Sequence, residues 1–428
     1  MEPTMTRLTI LWILSALLLA ACNAPLTPPP QPTATPTAVA VSTLPAAPTA
    51  TPVSDTPVPA TPEPVTEAQP TATGTAPQPA VETPSKWIAY LGADGNVWLV
   101  NPASGVMEPV TQDGTSPTAP SAPGAETVQY SQAKWSTDGL LAFMRTHGKP
   151  VESGYQFTTS LIVYDPNARR SWAVIEGRDL AGYAWRPGTR EIAYGLSVDP
   201  NYFSSRGSVA SELSKGIWTV QVDTGAVSEL VKPERGFHLI VPQFTPDGGI
   251  VSFDEVYLME GRGNFAYYDL AAQRYVSWDK PIGTYQWSSG GKFLFYDYLT
   301  YAPSGSERIY RNTRENDAET QISPADLPAN TIAYGPALSP AEDQVAYIVE
   351  QMGEQGQMTA KVYVQPVDGG APRDLGAFEQ PGGLVWSPDG QSLLVTVGPY
   401  EARRLILISM VDGSTRELVR GMWPAWQP

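Results

Sequence analysis

The sequence predicts an all-β fold: a seven-bladed β-propeller of four-stranded antiparallel blades, its ring closed by the C-terminal strand joining the N-terminal blade. Three observations lead there. First, the phrase Trp-Ser-Pro-Asp-Gly at 386–390 recurs in weaker copies, AKWSTDGLLAFM (133–144), PQFTPDGGIVSF (242–253) and YQWSSGGKFLFY (285–296). Second, the anchors Trp135, Trp185, Phe244, Trp287, Leu338, Trp386 and Trp426 are separated by 50, 59, 43, 51, 48 and 40 residues. Third, each interval holds four short runs of alternating apolar pattern, which is the content of one propeller blade.

Each unit follows one grammar. A first strand ends at the anchor and a tight turn follows: STDG, RPGT, TPDG, SSGG, SPAED or SPDG. In these turns the Asp is expected to cap local backbone N–H groups and the Gly to take the left-handed region, a structural role for Asp138, Asp247 and Asp389. A second strand comes next (LLAFM, EIAYGL, GIVSF, KFLFYD, QVAYIV, QSLLVTV). After a variable loop come a third (SLIVYD, GIWTVQV, NFAYYDL, ERIYRN, KVYVQPV, RLILISMV) and a fourth (SWAVIEG, VSELV, YVSWD, TQIS, RDLG, TRELV). The two ends read as one split blade. GMWPAWQP (421–428) is a first strand without the rest, and KWIAYLG (86–92), NVWLVNP (96–102) and MEPVTQD (107–113) are a second, third and fourth without a first. Joining them removes two exposed sheet edges.

Ahead of the repeats lie two segments of different character. Residues 1–21 carry Arg7 and the apolar run LTILWILSALLLAA (8–21), short for a membrane span and shaped like a secretory signal. Residues 22–85 begin with the single cysteine, Cys22, and continue with 17 Pro and 14 Thr over 24–85, without an aromatic residue. Such a composition cannot bury a core and favours extended polyproline II, with a reach of up to about 190 Å. It is expected to be a disordered stalk beneath a folded region, 86–428.

At Leu19-Ala20-Ala21-Cys22 the sequence resembles the bacterial lipobox. The resemblance implies that Cys22 is lipidated and becomes the mature N-terminus, anchoring the chain at the outer face of the cell membrane or at the outer membrane. Over 86–428 the chain resembles the TolB-like (PD40, WD40-like) propellers, whose pattern is Trp-Ser-Pro-Asp-Gly-x-x-Ile-Ala-Phe, then Ile-Tyr-Val-x-Asp. The copy at 386–390 is complete and the others are degenerate. The α/β domain that precedes the propeller in TolB itself has no counterpart between the stalk and residue 86.

Composition narrows the function classes. A formal net charge of −16 argues against nucleic acid as a partner. One cysteine allows no intrachain disulfide and no Cys-x-x-Cys site. His147 and His238 fall in different blades, there is no Gly-x-Ser-x-Gly elbow and no Asp-x-Asp-x-Asp run, and WSSGGKF (287–293) lacks the spacing of a phosphate loop. Neither a catalytic residue, a metal site nor a cofactor is expected, and Arg169-Arg170 and Arg403-Arg404 read as exposed face or edge charges.

Alternating strands place the first-to-second and third-to-fourth turns on one face and the other connections on the opposite face. The opposite face carries the long segments 115–129, 147–159, 197–216, 256–263, 298–306 and 350–360. They bear Tyr155, Phe157, Tyr202, Phe203, Arg206, Tyr257, Arg262, Tyr298 and Tyr301, residue types common at binding hot spots. The expectation is therefore a monomeric propeller, membrane-anchored and extracytoplasmic, that binds a partner protein or an extended peptide or glycan through this face. The alternatives are a polysaccharide-acting enzyme with paired carboxylates in the funnel and a purely structural envelope protein.

Overall fold

The computed structural model describes residues 86–117, 124–152, 154–197, 215–234, 236–256, 263–278, 282–298, 308–328, 330–353 and 357–428, all within the compact unit Pro79–Pro428. The chain opens with β1 (Ile88–Gly92), β2 (Val97–Val100) and β3 (Met107–Pro109). Five four-stranded blades follow. Blade 1 holds β4 (Thr127–Trp135), β5 (Leu141–Val151), β6 (Gly154–Asp165) and β7 (Arg170–Arg178). Blade 2 holds β8 (Leu180–Trp185), β9 (Glu191–Leu196), β10 (Ile217–Gln221) and β11 (Val227–Val231), and blade 3 holds β12 (His238–Phe244), β13 (Ile250–Val256), β14 (Asn264–Asp269) and β15 (Arg274–Ser277). Blade 4 holds β16 (Ile282–Trp287), β17 (Phe293–Tyr298), β18 (Ile309–Thr313) and β19 (Ala318–Gln321), and blade 5 holds β20 (Thr331–Leu338), β21 (Gln344–Met352), β22 (Met358–Pro366) and β23 (Arg373–Phe378). Then come β24 (Gly382–Trp386), β25 (Ser392–Val397), β26 (Arg404–Ser409) and β27 (Thr415–Trp426). Every first strand ends on its anchor residue, and all pairing is antiparallel, between chain neighbours except where β27 meets β1.

The split blade is present, with one difference from the sequence reading. TRELV and GMWPAWQP are not two strands but one, β27. Its first half pairs with β26, from Ile408↔Thr415 to Arg404↔Arg420, and completes blade 6. Its second half pairs with β1, from Gly92↔Gly421 to Ile88↔Trp426, and is the inner strand of blade 7. The two blades therefore share a seven-stranded sheet. At the passage between them a Cβ on Gly421 would lie 2.5 Å from both Leu91 O and the Tyr90 ring, so only glycine fits. Beyond the strand, Gln427 N–H donates to Trp87 O (2.9 Å) and Trp87 N–H to Gln427 Oε1 (3.1 Å).

The core consists of seven apolar clusters among the described residues, each spanning two neighbouring blades. Ile175 packs with Tyr183 and Val220, Val251 and Phe253 with Ala193 and Val231, and Tyr267 with Trp287. Ile309 packs with Tyr347, Ile348 with Trp386, Leu405 with Ile88, and Leu99 with Phe143. The last two lie on either side of blade 7, so the sequence of blade-to-blade contacts returns to its start.

Polar contacts repeat at the same places. The anchor indole donates to the carbonyl one residue before the anchor of the preceding blade: Trp185 to Lys134 O, Trp386 to Ala337 O and Trp135 to Ala425 O, each at 3.0 Å. Trp287 reaches Gln243 O through the Ser252 hydroxyl (3.1 and 3.0 Å). Where the anchor is Leu338, its own N–H donates to Gln286 Oε1 (2.7 Å).

In the tight turns the small hydroxyl is the central group. The Ser387 hydroxyl donates to Asp389 Oδ1 (2.5 Å) and accepts from Ser392 N–H (2.9 Å), and Asp389 also accepts from Gln391 N–H (3.0 Å). Thr245 and Asp247 repeat this arrangement with Ile250 and Gly249 N–H. Asp138 departs from the expected cap, since it accepts from the Ser136 hydroxyl and pairs with Arg190 of blade 2 at 2.8 Å. Gly139, Gly248 and Gly390 lie at φ 86°, 71° and 69°, the left-handed region the turn requires.

Two predictions follow from the closure. Removing residues 421–428 takes away an inner strand, and the melting temperature should fall by more than about 10 °C in a circular-dichroism melt; a truncated chain that melts with the full one would overturn the closure. Trp386→Phe keeps the ring but strands the buried Ala337 carbonyl, and chemical denaturation should show a loss of about 1–3 kcal/mol.

Candidate functional site

The inner strands are not regular. Each carries a register shift midway: at 131/134, 180/183, 240/243, 282/285, 334/337 and 382/384, and in β27 opposite 89/91. Such bulges bend a strand and turn its backbone toward the channel. Six of them place a residue at positive φ: Gln132 (53°), Gly182 (102°), Val241 (51°), Gly335 (69°), Gly383 (61°) and Trp423 (52°). Glycine accepts this conformation freely, whereas a valine or tryptophan there is strained by about 1–2 kcal/mol. Strain of this kind gathers at functional sites.

Three successive bulges, from blades 6, 7 and 1, wall a cavity of about 630 Å³ that includes Gln132, Gly383 and Trp423. Trp423 is 48% exposed, as is fitting for an indole turned into the channel. Tyr400 and Arg403 also line it. They sit in the second-to-third connection of blade 6, on the face where the longer connections lie. That connection is pinned, because Gly398 N–H donates to Glu379 O (2.7 Å), Arg403 Nη1 to Gln380 O (2.6 Å), and Gly421 N–H to Arg403 O (2.9 Å). Thr396 on β25 is 6% exposed; the residue lines the cavity, and its hydroxyl is buried without a hydrogen-bond partner.

Lys134 follows directly on the Ala133 wall. Its stem keeps some surface, but its ammonium lies deep between blades 1 and 2, donating to Tyr183 O at 2.6 Å and sitting 5.0 Å from the Tyr183 ring. Burial lowers this ammonium to about 8.

The residues singled out in the sequence fare differently. Tyr155 and Phe157 are on β6, because 147–159 is largely a projecting hairpin rather than a loop; in 350–360 β21 likewise continues to Met352 and β22 begins at Met358. Their rings stack 5.9 Å apart, Phe157 covers Gly148, and the Tyr155 hydroxyl donates to Ala125 O (3.0 Å). Phe157 is nonetheless half exposed. Tyr298 is tied into its own blade, with its hydroxyl donating to Glu319 (2.6 Å) and its ring 4.9 Å from Tyr310. Tyr202, Phe203, Arg206, Tyr257, Arg262, Tyr301 and Cys22 lie outside the described residues. Arg403 lines the cavity. Arg169 is an exposed charge and reaches Glu108 of blade 7 at 3.2 Å. The turn carboxylates are engaged locally: Asp94 with Asn96 and Trp98, Asp223 with Arg190, Asp368 with Arg311 and Asp412 with Ser414.

Trp423 and Tyr400 were not singled out. A signal for Trp423 existed in Pro424, since a proline inside an inner strand marks a bulge.

No protein-family model matches this sequence, and no curated protein is similar to it. Solved structures share its fold. A prolyl endopeptidase superposes with a TM-score of 0.54 at 15% identity, over 78% of this chain and 47% of that one, so this chain spans about half of the peptidase. Oligogalacturonate lyase from Vibrio parahaemolyticus gives 0.52 at 10% identity, over 78% and 85% of the two chains. TolB from Acinetobacter baumannii gives 0.44 at 16% identity, over 71% and 82%. At these identities the likeness concerns the fold. The chain is a β-propeller.

The Lys134 shift has a definite sign. Between about pH 8 and pH 10.4 the unfolded chain holds more protons at this position than the folded one, so this group makes stability rise with pH across that window. Lys134→Met should remove the rise, seen as a gap of about 2–4 °C between the wild-type and variant changes in melting temperature from pH 7.5 to 9.5. Parallel profiles would show that the ammonium is not desolvated.

Proposed function

We propose that this chain is a lipid-anchored extracytoplasmic binding module whose propeller holds a partner protein or an extended ligand at the cavity on its long-connection face. The observation that carries the reading is Trp423, a strained and half-exposed indole in a cavity beside an unpartnered hydroxyl. A core would bury the ring, and a solvated loop would relax the backbone. The volume falls in the range of about 300–1,000 Å³ usual for ligand sites. The lining holds a guanidinium and hydroxyls and, among the described residues, no carboxylate pair, which supports binding over glycosidic hydrolysis. The anchor rests on Leu19-Ala20-Ala21-Cys22 and the stalk on residues 24–85. Among the described residues no helix is long and apolar enough to cross a membrane.

A photo-crosslinking residue at Tyr400 of the full chain, irradiated in cells, should give one discrete adduct that Trp423→Ala abolishes. A well-expressed chain giving no adduct, or one indifferent to Trp423, would sink the binding site. In the same cells Cys22→Ser should move the protein out of the membrane fraction, and a variant that stays there would remove the anchor.

A further inference from the structure

We infer that the cavity takes an apolar carboxylate: an aliphatic or aromatic body whose anionic group sits between Arg403 and Thr396. This rests on the reading of the cavity as a binding site and names the chemistry of its ligand. Three features of the walls carry it. Trp423, Met422, Pro424, Val385 and Ala133 make most of the lining apolar. Such a surface stabilises an apolar body and gives few contacts to a polyhydroxylated chain.

The second feature is the state of two neighbouring guanidiniums. Arg404 lies within 3.4 Å of Glu417 and 3.7 Å of Glu379. Arg403 has no carboxylate partner among the described residues, and the bond recorded to it is from Nη1 to the Gln380 carbonyl. A guanidinium is a fork of donors, so the rest of Arg403 remains available to an acceptor, and the fork matches a planar carboxylate. The chain's net charge of −16 does not cancel this, since exposed charges farther than about 10 Å are largely screened.

The third is Thr396. Its hydroxyl is buried and unpartnered, and it lies 3.7 Å from where a Cβ would stand on Gly383 at the bulge. A buried hydroxyl without a partner is costly, and on a residue that lines a cavity an occupant reaching it would supply the missing partner. One cation and one hydroxyl suit a single negative charge. A phosphate dianion would call for further cations, and among the described residues Arg403 is the one cationic side chain on this lining.

The carboxylate can belong to the C-terminal residue of a peptide chain or to a free acid, and the two are separable. The full-length protein in nanodiscs would be titrated calorimetrically with acetyl-Ala-Phe-Leu, with the same peptide as its C-terminal amide, and with 4-phenylbutyrate. At least one acid is expected to bind. If the peptide acid is the tighter, it should exceed its amide roughly tenfold or more. Arg403→Gln should lower the affinity for the acid about tenfold more than that for the amide, and Thr396→Val should weaken the acid severalfold, with both variants keeping the far-ultraviolet circular dichroism of the folded wild type. Tighter binding of the peptide acid assigns a chain terminus, and tighter binding of 4-phenylbutyrate assigns a free acid. Equal affinity for acid and amide, or an acid affinity indifferent to Arg403→Gln, would overturn the carboxylate. If neither acid binds while the Tyr400 adduct persists in cells, the binding face stands and this inference fails; if the adduct is absent too, both fall.

Discussion

The ring depends on one contact made at successive blade junctions. At the end of an inner strand, the anchor side chain meets the backbone of the preceding blade one residue before that blade's own anchor. Three indoles do so directly, at 3.0 Å each, and a fourth acts through Ser252. A propeller has no central core, so its blades are joined by apolar facing surfaces that are non-directional and would tolerate sliding. The indole adds a direction. It fixes the height of each inner strand against the next, and a blade displaced by one residue would leave a buried carbonyl unpaired. The seven clusters supply most of the adhesion and the repeated polar contact sets the register.

That constraint accounts for what lies above it. With one end of most inner strands held near its anchor, the strand absorbs its bulge toward the middle, where it faces the channel. Glycine fills the bulge in blades 2, 5 and 6, at Gly182, Gly335 and Gly383. Blade 3 uses Val241 and blade 7 uses Trp423, residues that a purely structural bulge would not favour. In blade 4 a different device appears: Asp297, almost fully buried, accepts from Thr284 N–H (3.0 Å) and from Gly335 N–H of blade 5 (2.8 Å). The channel wall thus has two characters. One side is tied across blades 4 and 5 by a buried carboxylate, and the other opens as an apolar cavity between blades 6 and 1.

Much of the architecture was legible because it is written in repeated local chemistry. Anchor, hydroxyl, Asp and Gly recur, and each has a physical reason to recur, so the seven inner strands ended where the pattern placed them. The merging of TRELV and GMWPAWQP into one strand was not legible. The connection that normally separates a fourth strand from the next first strand is absent there, and Gly421 suggested a break when it serves a close approach to Tyr90 and Leu91. The projecting hairpins were hidden for a similar reason: the polar composition of 147–159 resembles a loop, while pairing from Gly148↔Phe157 to Val151↔Gly154 keeps it extended. The cavity was the least visible of all. Its residues come from β4, β24, β25, β27 and the 398–403 connection, and they converge only once the ring is closed.

The closing strand gives this arrangement a further consequence. Met422, Trp423 and Pro424 wall the cavity, and they belong to the same half of β27 that pairs with β1 and completes blade 7. The pinned connection holding Arg403 is bonded to Gly421, where that half begins. An occupant touching Trp423 and Arg403 therefore presses on the two elements that hold the ring shut. A ligand that binds only the closed form stabilises that form in proportion to its occupancy. Trp423 is strained in the closed ring and free to relax in an opened one, so contacts made by an occupant would offset a cost that the empty ring bears alone. In this molecule the wall of the binding site and the clasp of the fold are the same strand.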